Sequence, residues 1–517
     1  MPSIWFEEKS GNPAVHPYRM DVGLFVGLAP LRSLDRLPDP LEPWYRQQGL
    51  LDRVCPPSGG IHLRDVPVPV DSWETFRRFF LWPQAAGQST PLREAFYPLG
   101  RAVKAFFAQG GIKAYVVSMA DPLSPGAGEA ERMATLERLL YGRNGPFVGA
   151  ADRAQLAERP FAALPRTGES PLSQHGIQLG SALADTALVA LPDLPYLSAA
   201  PVEPVSVLMP ERPAPESFVE CVAPHVPTPY RRTAPPFRPL HDPVGYALWG
   251  RAIHCLLSWM VENAREWQLV CALPPPHPAC GPFWWAELCG TILGRGLDEG
   301  GCASAFFQCA FPWLGDAEDA ENLLAPDGPL MGLLAANALK KGTFRSAAGS
   351  LTAAVSSLDP VLSLNEKEKV PDSVHAMKRR LCLFESTPRG TQLASDRTTS
   401  LEPAHGPGCV SRLMGFILKA ARRLGESLVF ENASARSWRT VEQGLSSLLE
   451  AVYLAGGLGG TDVQNAFHVT CGTDTMTQQD VDSGRLIARI VVQPAVPVEA
   501  IQVVLAMEPS GSVSVAS

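Results

Sequence analysis

The stretch VDSGRLIARIVVQPAVPVEAIQVVL, Val481 to Leu505, holds two strand-like runs separated by Pro-Ala-Val-Pro. In the first, Leu486, Ala488, Ile490 and Val492 alternate with Arg485, Ile487, Arg489, Val491 and Gln493, the period of two that marks a strand. In the second, Ile501, Val503 and Leu505 alternate with Gln502, Val504 and Ala506. Pro494 and Pro497 lack amide donors, and no Asn-Gly or Asp-Gly closes a tight hairpin between the runs. The last strand therefore either joins its own sheet or is offered to another chain, because an unpaired terminal strand is a template for strand addition.

Upstream of this stretch, SRLMGFILKAARRL reads as a helix leading to a strand, ESLVF. SARSWRTVEQGLSSLLEAVYLAGG then places Trp438, Val441, Leu445, Leu448 and Val452 on one helical face, with Gly456 and Gly457 as the stop. The strand AFHVTC follows, and Thr477 and Asp480 have capping-box spacing.

Further toward the N-terminus, apolar runs alternate with helical periodicity. DVGLFVGLA at Asp21 to Ala29 is the first core strand. PVPVDSWETFRRFF is a strand ending at Val70 and a helix capped by Asp71 or Ser72. YPLGRAVKAFFAQGGIKAYVVSMADP is a helix, a Gly110-Gly111 stop and a strand over Ala114 to Met119. TALVALPDL, WQLVCALP and SAFFQCAFPWL read as core strands, and Pro243 to about Ala264 and WWAELCGTILGRGL as helices. This alternation predicts an α/β layer architecture with a largely parallel sheet. The segment 122–182, rich in Ala, Gly, Pro and charge, reads as a surface insertion; 195–239 reads as a proline-rich surface connection, and Asp359 to Pro407 as loop-rich.

At 517 residues the chain is too long for one core and suggests roughly two to four domains. Its net charge of −8 argues against a dedicated nucleic-acid binder. MPSIWFEEKSG lacks the basic and apolar regions of a signal peptide, and YALWGRAIHCLLSWMV is interrupted by Arg251 and His254, so neither export nor membrane insertion is expected. The cysteines number 11, an odd count scattered among hydrophobic neighbours, which fits reduced buried thiols. Cys271, His277, Cys280 and Cys289 lie close in sequence but lack the C-x2-C pairs of zinc sites, so no metal is expected.

No catalytic motif emerges: the nucleophile elbow, phosphate loop, H-E-x-x-H and G-x-G-x-x-G patterns are all missing. Asp474, Asp480 and Asp482 form a local carboxylate group, but Asp480 completes a capping pattern and Asp482-Ser483-Gly484 is a turn before a strand. The pairs and runs of Arg422-Arg423 and Lys378-Arg379-Arg380 read as solvated faces.

The segment Asn432 to Leu505 resembles the C-terminal domain of contractile tail sheath proteins, found in contractile phages, R-type tailocins and related injection systems. Trp438, Gly456, Cys471, Asp480, Gly484, Arg485, Leu486, Pro494 and Pro497 occupy the family's places in order. Tyr97 to Met119 is similar to the family's N-terminal helix, Gly-Gly turn and Tyr-Val-Val strand. Ala325 to Gly349 is similar to its P-x-G-x-x-x-G segment and following motif, through Pro326, Gly328, Gly332, Gly342 and Ala347, and FPWL at Phe311 to Leu314 also fits. DVGLFVG and the VHPYRMDV approach look most like sheaths of extracellular contractile injection systems.

The resemblance implies a mixed α/β, multi-domain fold. Residues 1–20 form an N-terminal linking arm, 21–121 the first part of the core, 122–182 the insertion and 183–400 a central α/β domain; 401–507 form a C-terminal α+β domain with its linking strand, and 508–517 a tail. It implies a structural subunit, not an enzyme, needing no cofactor, that polymerises with itself around an inner tube protein between baseplate and cap proteins and contracts to drive the tube. Neither nucleic acid nor a membrane is a partner. Assembly is expected in the cytoplasm, with release as an extracellular particle or virion. The arm, through Ile4 and Phe6, and the terminal strand, through Ile501, Val503 and Leu505, would add to sheets of neighbouring subunits. Arg436 and Arg439 are the candidate tube contacts. A cytosolic α/β enzyme and a non-contracting ring component are the alternatives.

Overall fold

In the computed structural model the described residues are 19–57, 59–82, 97–123, 127–142, 153–158, 161, 163–164, 174–201, 238–280, 288, 290, 292–316, 323–360, 377–427 and 434–495, with 501–507 and 513–516 described by backbone alone. The strands among them are β1 (Val22–Leu28), β2 (Pro67–Val70), β3 (Ala114–Ala120), β4 (Thr186–Ala190), β5 (Gln268–Ala272), β6 (Phe307–Phe311), β7 (Trp313–Asp316), β8 (Leu323–Leu324), β9 (Val355–Asp359), β10 (Cys382–Thr387), β11 (Gly390–Leu393), β12 (Phe467–Cys471), β13 (Leu486–Val492), β14 (Ile501–Met507) and β15 (Val513–Ala516). Five longer helices matter below: α1 (Pro98–Ala108), α2 (Pro243–Asn263), α3 (Asp327–Lys340), α4 (Gly408–Ser427) and α5 (Ala435–Leu454).

The main sheet has the order β11-β10-β6-β5-β4-β1-β3-β2. From β10 to β3 every neighbouring pair is parallel, and the outermost strands β11 and β2 are antiparallel to theirs. Strands covered on both faces must be apolar throughout. VGLFVGL, TALVA, QLVCA and FQCAF accordingly have every residue buried. The largely parallel α/β sheet read from the sequence is therefore present. The unit ending at Val70 differs in one respect: β2 runs antiparallel to β3 at the edge, while its helix is capped as expected, Ser72 Oγ accepting from Thr75 N at 3.2 Å.

Helix α2 has few polar interruptions and is buried on most of its surface, which is the pattern of a helix held inside a layer. Its N-cap is Asp242, whose Oδ1 accepts from Gly245 N at 2.7 Å. Helix α3 lies directly on α1, and the P-x-G-x-x-x-G pattern explains how. A Cβ at Gly328 would lie 2.5 Å from the carbonyl oxygen of Ala102, and one at Gly332 would lie 2.5 Å from that of Phe106. Two glycines one turn apart let the backbones touch.

A second core lies in the C-terminal region, where α4, α5 and the sheet β12-β13-β14-β15 share buried Val410, Leu413, Ile417, Val441, Leu445 and Ile490. On α5 the buried positions are Val441, Leu445, Leu449 and Val452; Leu448 is only half-buried, so the apolar stripe turns one position from the face expected.

Several expectations need correction. Segment 122–182 is not a surface insertion in its described part: its helix Glu129–Tyr141 buries Met133, Leu136, Leu139 and Leu140 in the main core, and Ile177 and Leu179 join them. Charged residues on the helix's outer side masked this, because Glu129, Glu131 and Glu137 sit between the apolar positions. The proline-rich connection begins with a short buried helix, Leu194–Ser198, and 202–237 lies outside the described residues. The loop-rich stretch also contributes β10 and β11, with Cys382, Leu383 and Phe384 fully buried. The residues read as tail contain β15. Of the strand ESLVF, Glu426 and Ser427 end α4 and the rest lies outside the described residues; of WWAELCGTILGRGL, 284–287, 289 and 291 lie outside them, Leu288 and Gly290 are helical, and 292–296 form turns where a helix was expected.

Candidate assembly site

The two runs of the C-terminal stretch are β13 and β14, and they pair antiparallel with Val492 opposite Ile501, Ile490 opposite Val503 and Ala488 opposite Leu505. In the chain taken by itself, the terminal strand thus closes onto its own sheet. β12 flanks β13 on the other side, with Cys471 opposite Ala488. The entry into β13 is fixed by the D-x-x-x-G-R turn. Asp480 Oδ2 accepts from Thr477 N at 3.0 Å and Thr477 Oγ1 at 2.6 Å, and its Oδ1 accepts from Arg485 Nη1 at 3.2 Å. These bonds, the Thr477 hydroxyl foremost, hold the half-buried Asp480 carboxyl below the usual range. Gly484 takes the left-handed φ of 72° that the reversal requires. The acidic group is therefore a cap and turn, as the sequence suggested.

The exit from β13 is anchored as well. Gly459 N donates to Gln493 O at 2.7 Å and Ala495 N donates to Gly457 O at 3.1 Å, so the glycine turn after α5 grips the chain as far as Ala495. The connection that remains to β14 is 496–500, and the six Cα steps from Ala495 to Ile501 span at most about 22 Å.

Helix α4 joins this terminal unit to the main sheet through polar groups on its far side. Arg412 and Asp396 form a fully buried bidentate pair at 2.9 and 2.6 Å, and Gln308 of β6 donates to Asp396 Oδ1 at 2.8 Å. Burial alone would raise the Asp396 carboxyl, but the Arg412 charge and the converging hydrogen bonds hold it below its usual range. At Gly415 a Cβ would stand 2.8 Å from Glu266 O, so the helix meets the loop before β5 backbone to backbone. Lys419 Nζ donates to Arg19 O at 2.8 Å and Thr186 O at 2.9 Å, tying the backbone at Arg19 to the foot of β4. Burial pushes this ammonium down to about 8, against the pull of Asp185, Glu266 and Asp21.

Arg436 and Arg439 stand exposed near the start of α5, and among the described residues neither forms an ion pair. The helix opens with Ser434 as N-cap and has no acidic residue in its first turn. Ile4 and Phe6 lie outside the described residues, and for Ile501, Val503 and Leu505 only the backbone is described. Cys271 is buried and Cys280 partly so, Cys289 lies outside the description, and among the described residues no cluster of three metal-ligating side chains occurs.

Sequence reading did not single out Ser198 and His241, whose Oγ and Nε2 are 2.9 Å apart. Both are completely buried, and burial pushes the imidazole down to about 3. The single N–H of the neutral ring is taken at Nδ1 by the Pro239 carbonyl at 2.9 Å, so Nε2 accepts from the Ser198 hydroxyl. With both groups completely buried, the pair fastens 198 to 241 as a structural contact. Nor was the Arg412, Asp396 and Lys419 joint foreseen, because its members are far apart in sequence and carry no local pattern.

The sequence matches no protein-family model and no curated protein. The fold does match solved structures along nearly its whole length. A chain of the anti-feeding prophage baseplate in its contracted state is 18% identical, over 97% of this chain and 95% of that one, with a TM-score of 0.55. A chain of the anti-feeding prophage helical sheath in its contracted state is 15% identical, over 97% of each, with a TM-score of 0.51. A chain of the sheath complex of PVC, an extracellular contractile injection system, also contracted, is 14% identical over 96% and 94%, with a TM-score of 0.51. From β1 to the terminal sheet, this chain is folded like chains that build contractile particles.

Proposed function

We propose that this chain is the structural subunit of a contractile sheath, polymerising with itself around an inner tube and contracting to drive that tube through a target envelope. The observation that carries the reading is the likeness of fold, over 96 and 97% of the chain, to chains of two contracted sheath assemblies. The terminal sheet supplies the means of polymerisation. A pairing made by β14 on its own β13 is made equally well on the β13 of a neighbour, with every main-chain hydrogen bond conserved. The short 496–500 connection sets the geometry: six Cα steps from Ala495 to Ile501 put the neighbouring strand within about 22 Å of Ala495.

In this reading Ile4 and Phe6 of the arm and Ile501, Val503 and Leu505 of the donated strand stitch each subunit to others. Contraction is then rigid-body motion of linked units between two packings. The buried joint at Arg412, Asp396 and Lys419 suits that motion, because it moves the terminal unit and the root of the arm as one with the main sheet. The energy is a difference in packing, so no nucleotide site is required.

The tube contact falls to Arg436 and Arg439. Cations in the first turns of a helix oppose its dipole. Their place at the start of α5 is therefore better explained by a partner than by helix stability. That partner is an inner tube protein with acidic surface, and baseplate and cap proteins close the two ends. Among the described residues no helix is long and apolar enough to cross a membrane, and the reading needs no membrane anchor: assembly takes place in the cytoplasm and the particle acts after release.

Negative-stain electron microscopy of the purified chain, beside a variant truncated before Val498, tests this. Long hollow cylinders from the intact chain, lost on truncation, are expected. Small discrete particles from both would move the weight to an enzyme or a single-ring component.

A further inference from the structure

β14 has two edges. One pairs with β13 along all seven of its residues. The other is met by β15, which runs antiparallel with Val504 opposite Ala516, Leu505 opposite Val515, Ala506 opposite Ser514 and Met507 opposite Val513. β15 has only four residues, so the stretch from Ile501 to Val503 is left outside this pairing. The strand lies against α4, the helix whose Lys419 holds the backbone at Arg19.

An open strand edge templates pairing with other chains, and proteins blunt such edges with short strands or covering helices. Here both devices coincide on the edge of the strand that the proposed sheath would donate. We propose that β15 is a self-cap: an intramolecular strand that occupies the outer edge of β14 until an incoming arm of another copy displaces it. This rests on the reading of β14 as the assembly strand.

Two features make the cap displaceable. Four residues are fewer than the usual five or six of a strand, so the competing pairing needs little advantage. The uncovered edge at Ile501 to Val503 gives an incoming strand a place to start, from which it can zip toward Met507 as β15 peels away. The arm is suited to this. Ile4 and Phe6 alternate with Trp5 and Glu7, giving a run as long as the cap and with more apolar bulk than Val513-Ser514-Val515-Ala516. Its 18 residues before Arg19 span up to about 60 Å when extended, enough to leave one subunit and reach another.

The test measures strand addition directly. A fluorescent peptide of residues 3–9, SIWFEEK, is titrated against the full chain, a chain ending at Ser512, and a full-length chain carrying Ser514→Pro and Val515→Pro. Alternate amides of a strand face its neighbour, so one of the two prolines removes a donor facing β14 whichever register parity applies. Binding about ten-fold tighter or more to both altered chains than to the full chain is expected. Equal affinity in all three, weaker binding to the altered chains, or no binding to any would overturn the self-cap. The readout does not need cylinders. A ten-fold difference from a chain that forms no cylinders would sink the sheath reading and keep the cap, and cylinders with no difference would do the reverse.

Discussion

Replacing Asp396 with alanine should be among the most damaging single changes in this chain. The carboxylate is fully buried and accepts from Arg412 at 2.9 and 2.6 Å, Gln308 Nε2 at 2.8 Å and Ala347 N at 2.9 Å. Its loss strands the Arg412 guanidinium, 1% exposed, without its counter-charge, and leaves the Ala347 amide unpaired. Breaking a buried pair from one side costs about 3–5 kcal/mol, and the orphaned amide alone accounts for about 1–3 of that order. With a urea dependence of about 3 kcal/mol per M, the midpoint should fall by about 1 M or more. Removing both charges together, as Asp396→Leu with Arg412→Met, should recover most of the loss, because the penalty comes from the uncompensated ion rather than from the missing attraction. Urea unfolding followed by fluorescence and circular dichroism reads this. A single variant within about 1 kcal/mol of the parent, or a double variant worse than the single, would refute the argument that this pair locks α4 to the main sheet.

Three other outcomes follow. Arg436→Glu with Arg439→Glu should leave folding unchanged, since both side chains are exposed, yet abolish co-sedimentation of the assembled chain with its tube protein; unchanged co-assembly would remove these arginines from the tube contact. Burial pushes the Asp193 carboxyl up to about 8, against its bond from Leu28 N, and the Asp327 carboxyl up to about 7. Both carboxyls are ionised in the unfolded chain above pH 4 and still protonated in the fold near neutrality, so the fold binds more protons and stability should fall as pH rises. Between pH 6.5 and 8 the loss should be about 2 kcal/mol, against a small opposing gain from His241, which is neutral in the fold but still partly protonated in the unfolded chain near pH 6.5; Asp193→Asn should flatten the loss, and a midpoint that rises over that window would contradict the assignment. Lys419→Met should leave the main sheet folded but quicken amide exchange at Arg19 to Asp21, because the backbone at Arg19 loses its anchor to α4; unchanged exchange there would show that the anchor holds nothing.

What was legible in the sequence was local. Alternation gave β13 and β14, continuous apolar runs gave β1, β4, β5 and β6, and the capping pattern at Thr477 and Asp480 gave the turn before β13. The spacing of Gly328 and Gly332 was legible only as a motif; that it serves a backbone approach of α3 to α1 appears in the structure, where a Cβ at either position would meet α1 carbonyls. Non-local features were hidden. Leu136 and Leu140 are buried by a sheet surface distant in sequence, and charged neighbours made their helix read as decoration. Arg412 and Asp396 carry no pattern that names each other, and β15 is too short and too small in its side chains to stand out in a polar tail. Whether β14 stays on its own sheet or crosses to a neighbour is a property of the assembly, since both arrangements use the same residues and the same hydrogen bonds.

That last question is decided by cross-linking. Val491 and Gln502 face each other across β13 and β14, and Val491 is only half-buried. A chain carrying Val491→Cys and Gln502→Cys, assembled first and then oxidised, is run on a denaturing gel without reductant beside the unaltered chain. Strand exchange predicts a ladder at multiples of the chain mass, the cysteines joining one subunit to the next. A single band at the mass of one chain, its disulfide closed within each subunit, would contradict the account.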